Sequence, residues 1–178
     1  LDEYNDILPI SKENAVLLAG KRALYHINLS SKKTTVFSSD KRLLNGVNKL
    51  FPSNTGAGFW ALTEFQGGLF FNFGKGNIVK SVAEGKGLTT MFQWQNKLYF
   101  GLSAGNLLLV DGEKETNISV GNDEVHISEI RAYQNKLLIG TQERGLFILD
   151  NQSNKVLTSY YHTCLLYTSP SPRDRQKS

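Results

Sequence analysis

The sequence predicts an all-β chain built from about four repeats of one small antiparallel sheet, and three observations predict it. Aromatic residues (ten Phe, seven Tyr, two Trp) and Gly (sixteen) are plentiful while Pro (four) is scarce, which suits strands joined by tight turns. Short apolar runs come in pairs, each pair split by a polar break. Within these runs apolar and polar residues do not alternate, as they would in a strand with one wet face. Each inner strand is therefore expected to be covered on both sides.

In chain order, the first pair is AVLLAG from Ala15 to Gly20 and LYHIN from Leu24 to Asn28. The second is FWALT from Phe59 to Thr63, the break EFQGG, and LFFNF from Leu69 to Phe73. The third runs from Gln93 to Gly101 (QWQNKLYFG) and continues with LLLVD from Leu107 to Asp111. In the fourth, AYQNKLLIG from Ala132 to Gly140 precedes LFILD from Leu146 to Asp150, and its QNKL and closing Gly lie 39 residues after those of the third. The second runs begin at residues 24, 69, 107 and 146, steps of 45, 38 and 39. Each unit has room for four short strands. In the last they are expected at Val125–Tyr133, Leu137–Thr141, Leu146–Asp150 and Lys155–Tyr161, with Asn and Gly at the breaks supplying left-handed or tightly bent positions.

A period near forty residues with four strands per unit is the mark of a β-propeller blade. The central strands of a blade are flanked in the sheet and sandwiched between adjacent blades, so alternation is lost. Burying one Leu or Ile side chain is worth roughly 1.5–3 kcal/mol, and no blade keeps that gain alone. The competing architecture is an open antiparallel meander or sandwich of hairpin pairs. The expected blades cover residues 11–39, 45–83, 86–120 and 124–161 of a 1–163 propeller region. Closed rings hold about four to eight blades. A chain that starts at Leu1 without Met reads as a partial propeller, an arc of a larger ring.

The last fifteen residues, CLLYTSPSPRDRQKS from Cys164 to Ser178, break with the rest. They have no periodicity and no apolar face, which predicts disorder. The segment resembles the translated adapter read-through that ends many truncated metagenomic gene models, and so is read as an artefactual tail. It holds the only cysteine and +2 of the net charge of +4. The remaining +2 is too small and scattered to suggest nucleic acid. A cysteine-free body excludes structural disulfides and thiolate metal sites, and fits periplasm or cytoplasm alike. No apolar run is long enough to cross a bilayer.

The units resemble the two-component regulator propeller repeat, an apolar-Trp-apolar-Gly-Thr core, a short Gly-Gly-Leu loop, then an aromatic and an Asp. The fourth copy carries Leu138-Ile139-Gly140-Thr141 and Gly145 to Asp150, with Leu in place of the usual Trp. The second keeps Trp60-Ala61-Leu62-Thr63 and Gly67-Gly68-Leu69-Phe70; the third keeps Gly101 and Asp111; the first keeps little beyond Gly20, Leu24 and Tyr25. This resemblance implies the periplasmic or other extracytoplasmic sensor region of a hybrid histidine kinase, as found in Bacteroidetes. It implies a glycan fragment as ligand, the remainder of a membrane-anchored sensor as partner, and kinase activity only in that parent.

If successive strands run down, up and down, the loop after each second strand and the approach to each first strand share one end of the blades. A carbohydrate or peptide ligand needs an aromatic platform and planar polar groups, and loops on a rigid scaffold often carry function. Phe65, Gln66, Gln142 and Arg144 on these loops, with Asp123 and His126 on an approach, are the candidate ligand-binding residues. Trp60 and Trp94 are expected in the core. His26, His126 and His162 show no metal-ligand spacing, so no metal, cofactor or catalytic residue is expected. Gly74-Lys75-Gly76 and Gly85-Lys86-Gly87 lack the spacing of a phosphate loop. The expected function is ligand sensing; a propeller enzyme of the lyase or glycosidase kind and a protein-interaction scaffold are the alternatives.

Overall fold

A computed structural model of the chain describes residues 4–10, 13–121, 125–142 and 144–160. The tail from Cys164 lies outside them. The described strands form four sheets of four antiparallel strands, each a simple meander. Blade 1 holds β1 (Tyr4–Ile10), β2 (Ala15–Gly20), β3 (Leu24–Asn28) and β4 (Lys33–Ser38). Blade 2 holds β5 (Val47–Pro52), β6 (Gly58–Thr63), β7 (Gly68–Asn72) and β8 (Ile78–Val82). Blade 3 holds β9 (Leu88–Trp94), β10 (Lys97–Leu102), β11 (Asn106–Asp111) and β12 (Lys114–Ser119). Blade 4 holds β13 (Ile127–Tyr133), β14 (Lys136–Thr141), β15 (Leu146–Asp150) and β16 (Val156–Tyr160). The paired apolar runs are the second and third strands of each sheet. Strand β1 lies ahead of residue 11, the expected start of the first blade; its sequence YNDILPI does not resemble its counterparts in the other blades.

The first strands stand side by side, β1 against β5, β5 against β9 and β9 against β13. The fourth strands are largely exposed. First strands thus converge on an axis and fourth strands form the rim. Among the described residues no extensive contact runs from blade 4 back to blade 1, so the propeller is an open arc.

Three hydrophobic cores hold the arc together, and each lies between two blades. Leu17, Leu50, Phe59 and Leu69 belong to the core between blades 1 and 2. Trp60, Leu62, Phe100 and Leu108 belong to that between blades 2 and 3. Tyr99, Leu109, Ile139 and Phe147 belong to that between blades 3 and 4, with Trp94 packed against it. Neighbours on one strand therefore serve opposite cores, as alternation along a strand requires. In β6, Phe59 stacks on Phe71 with ring centroids 5.3 Å apart in one core, while Trp60 meets Phe70 at 5.1 Å in the next.

Burial follows from position in the arc. All six residues of β6 are buried, and so are the four central residues of β10. In β2, β14 and β15 buried and half-buried residues alternate. The LLIG and LFIL runs of blade 4 were expected to be covered on both faces; Leu138, Leu146 and Ile148 are only half-buried because no described blade packs on their side of the sheet. On the free face of blade 1, Ile7 and Val36 are exposed and Tyr4 lies edge-on to Tyr25 at 6.1 Å.

The tight turns differ from expectation in one respect. In the Gln95-Asn96 and Gln134-Asn135 turns it is Gln that takes the positive φ, 55° and 54°. His26 packs in β3 with its Nε2 3.4 Å from a Glu13 carboxylate oxygen.

Candidate functional site

Two polar-terminated loops on one end of the blades repeat the same geometry. In the loop from Thr63 to Gly67, the Thr63 hydroxyl donates to the Gly67 carbonyl at 2.9 Å and accepts the Gln66 N–H at 2.9 Å. In the loop from Thr141 to Gly145, the Thr141 hydroxyl donates to the Gly145 carbonyl at 2.9 Å and accepts the Arg144 N–H at 3.1 Å. Each Thr hydroxyl thus satisfies a backbone donor of the loop and adds a second bond to a carbonyl that already accepts the Thr N–H, at 3.0 Å in both loops. Glu64 corresponds to Gln142, and Gln66 to Arg144.

These loops are tied to the approaches of the first strands. The Gly85 N–H donates to the Phe65 carbonyl at 2.9 Å, and the Gln142 N–H donates to the His126 carbonyl at 3.1 Å. Ser103 makes the equivalent bond to Gly87 in blade 3, at 2.9 Å. Phe65 is held by its backbone while its ring stays exposed.

The result is a groove at the axis between blades 2, 3 and 4. One part, of about 340 Å³, is lined by Asn48, Glu64, Phe65, Ser103 and His126 among others. The adjoining part, of about 300 Å³, adds Lys49, Ser128 and Gln142 and shares Asn48, Leu88, Thr89 and His126 with the first. Of the six residues expected from the sequence, Phe65, Gln142 and His126 meet at this groove. Gln66 and Arg144 are placed one or two residues further round their loops and line neither part. Asp123 lies outside the described residues, as does its neighbour Glu124.

Asn48 and Lys49 line the groove without having been expected there, and Glu64 and Ser103, on the expected loops, line it without having been singled out as ligand-binding. Their signal was present in part: each first strand has a short polar residue in its second position, namely Asn5, Asn48, Thr89 and Ser128. The side chains of Asn48, Glu64, His126 and Gln142 make no hydrogen bond within the described residues, so their polar atoms are free for a ligand. The groove offers an apolar ring beside carboxamide, carboxylate, hydroxyl, imidazole and ammonium groups. That is the make-up of a site for a small polar molecule with an apolar face. Among the described residues no group of His, Cys, Asp and Glu could hold a metal ion.

At the opposite end of the axis Phe51, Pro52, Met91, Phe92 and Arg131 line a smaller cleft of about 150 Å³. Asn54 closes that end by donating its N–H and its amide to Gln93 at 3.2 and 2.9 Å, and Arg131 is paired with Glu129.

No protein-family model matches the chain, and no curated protein matches it in sequence. Solved structures match its fold. The extracellular domain described as that of the hybrid two component system BT4673 from B. thetaiotaomicron matches over 91% of this chain and 22% of its own, with a TM-score of 0.70 and 16% identity. The corresponding domain of BT3049 from the same organism matches over 85% of this chain and 28% of its own, with a TM-score of 0.61 and 19% identity. The β-propeller domain of Cps50 (Swd1) from Myceliophteria thermophila matches over 90% of this chain and 56% of its own, with a TM-score of 0.71 and 13% identity. The chain spans between about a fifth and just over half of these proteins. At such identities the likeness is one of fold: extracellular domains of two component systems and a β-propeller domain share this blade arrangement. No described helix is long and apolar enough to cross a membrane.

Proposed function

We propose that the chain is the ligand-binding stretch of a propeller in an extracytoplasmic two-component sensor, non-catalytic in itself, and that its groove takes a neutral saccharide. One observation carries this reading: the exposed Phe65 ring stands at a groove whose Asn48, Glu64, His126 and Gln142 side chains make no hydrogen bond among the described residues. An aromatic face packs against the C–H face of a sugar ring, and amide and acidic groups bond its hydroxyls. Glu64 and His126 both line the groove, but no hydrogen bond joins them, and this lack of a held acid–base pair favours binding over turnover. The likeness to extracellular domains of hybrid two component systems supports placing the parent outside the cytoplasm.

The gene surrounding this segment is the direct test. The reading expects a membrane helix and a histidine kinase encoded in the same frame; a complete gene lacking both contradicts it. Within the groove, Phe65→Ala is expected to weaken saccharide binding about tenfold, the loss of one stacking contact, read by titration calorimetry.

A further inference from the structure

The four first strands share one irregularity. Each pairs in register with its neighbour except at its second residue, where one residue is left over: Asn5, Asn48, Thr89 and Ser128. Such a bulge bends the strand and re-aims a side chain. Because the bulge recurs, equivalent positions at the three seams between blades can be compared directly.

At the seam between blades 1 and 2, the Asn5 amide donates to the Val47 carbonyl at 2.9 Å. At the seam between blades 3 and 4, the Thr89 hydroxyl donates to the Ile127 carbonyl. Val47 and Ile127 are the first residues of β5 and β13. The counterpart at the middle seam is a bond from Asn48 to the carbonyl of Leu88, the first residue of β9, and it is not made. A second stitch is seen at the first seam alone among the described residues: Asp6 accepts the Leu50 N–H at 2.7 Å, whereas its place is held by Lys49 in blade 2, where an ammonium accepts nothing, and by Thr90 in blade 3, whose hydroxyl is unpartnered. Asn48 and Leu88 instead line both parts of the groove. The middle seam is closed at its far end by Asn54 and Gln93, and towards the rim by Lys86 and Glu115 at 2.6 Å. It opens beside Phe65, His126 and Gln142, at the end away from the small cleft by Phe51 and Phe92.

We infer that Asn48 is the specificity-determining residue of the groove, and that its carboxamide and the Leu88 carbonyl bind adjacent hydroxyls of the ligand. The ligand replaces at this seam the bond that the protein makes for itself at the other two. A hydroxyl both donates and accepts, so a vicinal diol satisfies the amide and the carbonyl together, whereas an apolar ligand satisfies neither. This assignment rests on the saccharide reading above and adds the residue that selects within that class.

The test uses the full 178-residue chain with cellotriose, xylotriose, maltotriose and a β-1,4-galactotriose as probes. Affinity is read by ligand-observed saturation-transfer NMR, and thermal unfolding is followed in parallel. Asn48→Ala is expected to weaken the bound probe about tenfold, the loss of one or two neutral hydrogen bonds, and to leave the melting temperature unchanged. Asn5→Ala, which removes the equivalent bond at a closed seam, is expected to lower the melting temperature and leave affinity unchanged. Unaltered affinity in Asn48→Ala overturns the assignment while the saccharide reading stands. A melting temperature lowered as far as in Asn5→Ala overturns it too, because Asn48 would then be part of the scaffold. Failure of every probe to bind the unaltered chain overturns both.

Discussion

Two positions show how single residues carry the arc. Thr90 is fully buried in β9 at the place Asp6 holds in β1, and its hydroxyl has no protein partner. A buried donor left unmet costs about 1–3 kcal/mol, so Thr90→Val is expected to stabilise the chain by about 1 kcal/mol in urea unfolding. Gly67 closes the Thr63 loop at a φ of +71°, and a Cβ there would lie 2.2 Å from the Val82 carbonyl oxygen. Gly56 has a similar φ of +68° but open space around it. Gly67→Ala is therefore expected to cost at least about 2 kcal/mol more than Gly56→Ala, the difference being collision rather than backbone conformation. At this scale the sequence was only half legible. Phe65, His126 and Gln142 could be placed by following strand direction alone. Asn48 could not, because its role depends on a bulge, and a bulge is a property of pairing between two strands.

The strands themselves were the most legible elements. FWAL and LFFN of blade 2 announce themselves by apolar runs whose lack of alternation has one physical cause, a blade on either side; LLIG and LFIL carry the same pattern although a described blade covers them on one side alone. Strand β1 was missed because its outward positions meet solvent and its sequence includes Pro9, so neither periodicity nor composition marks it. The boundary between blades 2 and 3 also depends on polar contacts that no pattern reveals. Glu115 of β12 accepts the Ala83 N–H at 3.1 Å and the Lys86 ammonium at 2.6 Å. The Lys86 bond holds its carboxyl below the ordinary 4.5; burial, the next-largest effect, pushes it up, and the Ala83 bond and the Lys86 charge add to the lowering. A carboxylate with a depressed folded value stabilises the fold above its unfolded value, and that contribution disappears as pH falls through the folded value. Acidification from about pH 6 to about pH 3 is thus expected to destabilise the parent chain more than Glu115→Gln. Since Glu115 is more than a third exposed, the difference should not exceed about 0.5–1 kcal/mol, measured as the change in denaturation midpoint with pH.

For the whole molecule, the same interface is used three times and left unfilled twice. Every internal seam presses the trailing face of one blade, such as Trp60 and Leu62, on the leading face of the next, such as Leu98 and Phe100. Among the described residues no blade packs on the leading face of blade 1, which carries Ile7, Val16, Leu18, Ile27 and Val36 in equivalent positions, or on the trailing face of blade 4, which carries Leu138, Leu146, Ile148 and Tyr160. End units of a stacked array need a polar outer face to stay soluble, and these lack one. Sedimentation of the isolated chain over a range of concentrations tests this account most directly. It predicts a weight-average mass that exceeds 19.9 kDa and climbs with concentration, falling back when Ile7, Val36 and Tyr160 are replaced by Lys. A single 19.9 kDa species at every concentration, unfolding in one sharp transition, would contradict an open arc with unfilled faces.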